Sequence, residues 1–221
     1  MSSVVLGTLP FALGAAVSPA VLTVVVLILA SGSHALKRAW LFALGGTILT
    51  ALFIAICRTL LAQVGGSGDG PHTIDRVIDA ALAVVLGVWA ILIVSRKPKA
   101  PAKPSRIQAL LSSRRSVVFV GLGAVAMALN ASTLLIVLAG SHHITQANAP
   151  LDSKILASAL LLLGAVLPLV LPPALVTMSG ARAAGFLHRL NIFTTKHQRV
   201  INAAILAAIA VLLAWKAIQG S

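Results

Sequence analysis

Arg76-Val77-Ile78-Asp79-Ala80-Ala81 and Arg199-Val200-Ile201-Asn202-Ala203-Ala204 decide how this chain is read. The two hexapeptides agree everywhere except at Asp79, which becomes Asn202, and they lie 123 residues apart in a chain of 221. Each opens an Ala/Val/Leu-rich run that reaches a tryptophan, Trp89 in one case and Trp215 in the other. Matches of Ala and Val carry little weight in so apolar a chain. The shared arginine and the shared Asp/Asn position are harder to obtain by chance. A looser echo joins two other segments: one ends Ala30-Ser31-Gly32-Ser33-His34 and the other Ala139-Gly140-Ser141-His142.

The runs around these repeats are apolar throughout their length. Hydrophobic residues make up 59% of the chain and charged residues 10%, with a mean hydropathy of +1.04. A soluble domain carries about 25% charged residues. Apolar segments of twenty or more residues are the signature of membrane-spanning helices. Spans are predicted at 4–30, 39–62, 74–95, 116–139, 153–178 and 199–219. The expected fold class is therefore all-α, a polytopic membrane protein with six transmembrane helices. The N-terminal run lacks both a preceding basic region and a cleavage site, so it reads as a retained first helix.

Three is an odd number of spans, so a three-helix unit repeated once must return upside down. The organisation predicted is a first three-helix repeat over 1–95, a basic cytoplasmic linker over 96–115, and a second, inverted repeat over 116–221. Inverted repeats are a common plan of secondary transporters, with the substrate site near the bilayer midplane. A duplication without a transport role is the alternative. The loops after the first, third and fifth spans hold thirteen of the 17 basic residues, leaving Arg58, Arg76, Lys154 and Lys216 on the other side. The positive-inside rule puts those three loops in the cytoplasm and both termini outside. It also accounts for the net charge of +13 without nucleic acid. The central loop, with Pro98, Pro101 and Pro104, reads as a semi-rigid linker that can also touch anionic headgroups.

Candidate functional residues are the polar and helix-breaking ones inside the spans. Ser18-Pro19 interrupts the first span, and Pro168, Pro172 and Pro173 crowd the fifth after Gly164. Proline frees a carbonyl that in lipid needs a partner or a water-lined cavity. Gly45-Gly46 in the second span either lines a path or lets helices pack closely. Asn130 and Thr133 in the fourth either contact substrate or bond a neighbouring helix. Asp79 has three readings: a cap of its helix N-terminus, a partner of Arg76 or Arg58, or a proton carrier for coupling. His34, His142 and His143 fall at loop edges without clustered carboxylates, so no metal site is expected. Cys57 stands alone, and no phosphate-binding loop precedes a Lys-Ser or Lys-Thr pair. Neither an enzyme nor a cofactor is expected, and energy would come from an ion gradient or a partner.

The chain resembles the actinobacterial GAP or Sap family, the glycopeptidolipid- and sulfolipid-addressing proteins of the LysE exporter superfamily. The resemblance is carried by Leu13-Gly14-Ala15-Ala16-Val17-Ser18-Pro19, by Arg38-Ala39-Trp40-Leu41-Phe42-Ala43-Leu44-Gly45-Gly46, by Leu167-Pro168-Leu169-Val170 and by His197-Gln198-Arg199-Val200-Ile201. It implies a role in moving a lipid, a glycolipid or a precursor toward the cell envelope from the bacterial plasma membrane. Exporters of that superfamily tend to carry Asn-Pro in the fourth span; here Ala131 follows Asn130, so a straighter fourth helix is expected. Partners would be an amphipathic cargo and membrane lipids, together with envelope biosynthesis proteins and a second copy in a homodimer. The competing readings are an exporter of amino acids or small ions and an accessory scaffold for envelope lipid synthesis.

Overall fold

A computed structural model describes residues 3–32, 34–65, 71–95 and 117–219. The predicted linker 96–115 lies outside the described residues, as do the side chains of Asp75, Arg76 and Arg199. The described chain is all-helical: α1 (Ser3–Ala16), α2 (Pro19–Leu29), α3 (Ala35–Gly65), α4 (Pro71–Ser95), α5 (Val117–Ala128), α6 (Ala131–Gln146), α7 (Leu151–Ser179) and α8 (Ala181–Gln219).

Pro19 explains the first break. It has no N–H to offer the carbonyl of Ala15, yet its fixed φ suits the first position of a new helix, so α1 stops and α2 starts with Pro19 at its head. The two helices meet at 51°. The expectation of a straighter fourth span fails, because α5 and α6 meet at 70°. A break needs only a loss of register, which here takes no proline. The Asn130 N–H reaches back to Met127 and the Ala131 N–H to Leu129, so both leave the i−4 pattern, and Asn130 becomes the N-cap of α6.

The other prolines do not end their helix. α7 runs unbroken for 29 residues through Pro168, Pro172 and Pro173, all three buried. Pro168 and Pro172 are one turn apart and share a buried face. The stretch read as the loop after the fifth span is also helical, since α8 extends from Ala181 to Gln219 as one helix of 39 residues. Its basic residues mark where the chain leaves the apolar layer, and charge alone does not end a helix. Only the part over Thr195–Trp215 is apolar enough to cross a bilayer.

By length and composition α3, α7 and Thr195–Trp215 of α8 can each cross, and counting each bent pair as one span gives five. The apolar stretch of α4, Val77–Ile93, is shorter. The outward faces are apolar too: Leu44, Ile48, Leu52, Ile56 and Leu60 repeat every four residues along α3 and are all exposed. Such a continuous stripe belongs against lipid and marks a membrane protein.

The core falls into two clusters. One takes Phe11 and Ala15 from α1 and Ile136, Val137 and Ile144 from α6. The other takes Val21, Val25 and Ile28 from α2 and Phe119 and Met127 from α5. The division therefore falls at the two breaks. Glycines let the layers close up: a methyl at Gly45 would overlap the Val120 backbone, one at Gly123 the Phe42 carbonyl, and one at Gly164 the Ala12 carbonyl. Close backbone approach at small residues is how helices associate where lipid supplies no hydrophobic drive.

A candidate site where two broken helices cross

Ser18 and Asn130 are the N-caps of α2 and α6, and neither side chain caps its own helix. They bond each other instead: the Asn130 Nδ2 donates to Ser18 Oγ at 2.7 Å, joining residues 112 apart in sequence. The two helix restarts thus meet at one point. Beside it lies a cavity of about 10 Å³, lined by Gly14, Val17, Ser18, Asn130, Ser132, Thr133, Ile136, Asn202, Ile205 and Leu206. That is room for one water-sized group.

Of the residues singled out from sequence, Ser18, Asn130 and Thr133 line this cavity, and Pro19 is buried next to it. Gly45, Gly46, Pro168 and Pro172 are not in the lining. Gly45 packs on Val120, and Gly46 on Leu169 and Met127. Asn202 and Ser132 were not singled out. The signal for Asn202 was in the repeat itself, as the counterpart of Asp79. An Asn130→Leu substitution is expected to leave Ser18 without its partner and lower stability by about 1–2 kcal/mol. A thermal midpoint unchanged in detergent would show that the contact holds nothing.

Asp79 sits in a second polar cluster. Its helix begins at Pro71, two turns earlier, so it is not an N-terminal cap. Asp79 Oδ1 lies 3.3 Å from His142 Nε2, with side chains 5% and 2% exposed, as a close pair without hydrogen-bond alignment. His142 is not at a loop edge. α6 runs on to Gln146, and the side chain is enclosed within the bundle. The sequence reading ended this span at residue 139, which is why the pair was missed. Arg58, one of the partners expected for Asp79, donates to Ser158 Oγ at 2.9 Å. Ser158 donates to the Lys154 carbonyl, and Lys154 Nζ donates to the Thr145 carbonyl at 3.1 Å. His143 stacks on Phe11. Among the described residues no group of three or more His, Cys, Asp or Glu is placed to hold a metal ion.

A family model described as Sap, sulfolipid-1-addressing protein, matches residues 8–219. The chain belongs to this family. The match takes in both breaks, the crossing and the Asp79–His142 pair, so every feature of the site lies within the Sap segment. Membership in the Sap family, together with the apolar outer faces, gives the chain a lipid-related role in a membrane. No curated protein and no solved structure matches the chain.

Proposed function

We propose that this Sap-family chain is a secondary transporter of the bacterial plasma membrane that exports or flips a lipid, a glycolipid or a precursor toward the cell envelope. In this reading it has a LysE-like plan of six spans in two inverted three-helix repeats, with both termini outside. α1–α2 with α3 and α4 form one repeat, and α5–α6 with α7 and α8 the other. The observation that carries the reading is the crossing of the two broken helices at Ser18 and Asn130, each from the same place in its own half. Discontinuous helices that meet between repeats are where transporters bind cargo and pivot. Asp79 from the first half and His142 from the second are the coupling candidates, because a buried ionisable pair between halves changes with their separation.

The small cavity favours a second reading, an exporter of amino acids or small ions, since it admits one water-sized group. One comparison separates the two. Total lipids, surface-extractable lipids and released solutes are measured in a deletion strain and its parent. A lipid retained inside with total synthesis intact supports lipid export. Unchanged surface lipids with one retained solute overturn it. The accessory-scaffold reading predicts instead that deleting 96–115 abolishes function, while substitutions at Pro19, Asn130 and Asp79 leave it intact.

A further inference from the structure

The repeat puts an aspartate at 79 and an asparagine at 202, and of the two only Asn202 reaches the crossing. The cavity there is lined by hydroxyls, amides and apolar side chains, with no Asp, Glu, Lys or Arg among its described residues. It opens on the N-terminus of α6, a helix of 16 residues whose N-cap side chain is turned away to Ser18. The amides of Ser132 and Thr133, second and third in that helix, therefore lack a cap. The Thr133 side chain is only 3% exposed, faces the same cavity and has no hydrogen-bond partner among the described residues. The carbonyl that Pro19 strands belongs to Ala15, which is not in the lining. Gly14 and Val17, at the C-terminal end of α1, line it as well, with the Gly14 carbonyl accepting from the Val17 N–H.

The geometry points to an anion subsite at the crossing: the first turn of α6, the Ser132 and Thr133 hydroxyls and the Asn202 amide take one oxygen of a phosphate or sulfate headgroup. A helix N-terminus carries about half a positive charge, and its free amides aim at an anion without any basic side chain. A cavity sized for one water is sized for one such oxygen. A neutral residue at 202 is a requirement of this site, because a carboxylate there would face the incoming charge. In the other half, where the repeat has its aspartate, a histidine stands opposite it. The inference deepens the lipid-export reading and rests on it.

The test uses the full chain in nanodiscs. Binding of a sulfated galactosylceramide is compared with its unsulfated parent, phosphatidylglycerol with phosphatidylcholine, and inorganic sulfate and phosphate are titrated alone. The charged lipid of a pair is expected to bind about tenfold more tightly than the neutral one. Asn202→Asp is expected to erase that preference. Thr133→Val should weaken it and Thr133→Ser restore it, which decides the matter if Asn202→Asp fails to fold. The stronger of the two charged lipids names the headgroup. Equal binding of charged and neutral lipids overturns the anion subsite and leaves lipid export standing. Binding of inorganic anions with no lipid bound supports the subsite and removes the lipid reading. A charge preference that survives Asn202→Asp and Thr133→Val places anion recognition elsewhere and overturns the proposal.

Discussion

Replacing His142 with leucine is expected to lower stability by about 3–5 kcal/mol and, under the proposed function, to abolish export. The pair is enclosed on both sides, so an alkyl group in place of the imidazole takes away a polar neighbour 3.3 Å from an enclosed carboxyl oxygen. Asp79→Leu removes the same contact from the other side. The double replacement by leucine should cost less than the sum of the singles, because neither polar group is then left facing an alkyl one. Thermal unfolding of the four proteins in detergent checks this order. Equal losses that add in the double variant would mean the two residues are not energetically coupled. Function separates from stability in Asp79→Asn and His142→Gln, which keep shape and polarity. Both are expected to fold and to lose transport driven by a pH gradient. Full gradient-driven transport by Asp79→Asn would rule out a coupling role.

The second large effect is at the crossing of α3 and α5. Gly45→Leu should cost about 3 kcal/mol or more, because even the first carbon of the new side chain overlaps the Val120 backbone. Backbone cannot swing aside as a flexible side chain does, so α3 and α5 must separate. Gly123→Leu meets the Phe42 carbonyl across the same contact and should behave alike. The two together are expected to cost less than their sum, since one separation makes room for both. Gly87→Ala is the control. Nothing lies near a methyl there, and alanine favours helix by about 1 kcal/mol, so its midpoint should hold or rise. A Gly45→Leu protein with an unchanged midpoint would mean that this close contact is not part of the native packing.

What could be read from the sequence follows from sums over neighbouring residues. Apolar run lengths placed α3, α4 and α7 to within a few residues, because transfer into an apolar layer adds up residue by residue, but they missed the last two turns of α6 and the first eighteen residues of α8. The Ser18-Pro19 break was legible because proline acts on its own backbone. The family was legible because its short motifs are local strings. The break at Asn130 was not, since Ala131 carries no local signal and the Ser18 that the Asn130 side chain bonds lies 112 residues away. The unbroken run of α7 through three prolines was hidden too, because a proline's local effect says nothing of the helices packed around it. Asp79 was visible as an acid inside a span, but its pairing with His142 was decided by which faces of α4 and α6 meet. So composition, helix content and the repeat belong to the sequence alone, where each residue contributes without reference to distant ones. The crossing, the buried pair and the asparagine at the cavity exist only once helices far apart in the chain are packed, because a hydrogen bond or a charge pair needs two groups within about 3 Å and sequence spacing does not set that distance.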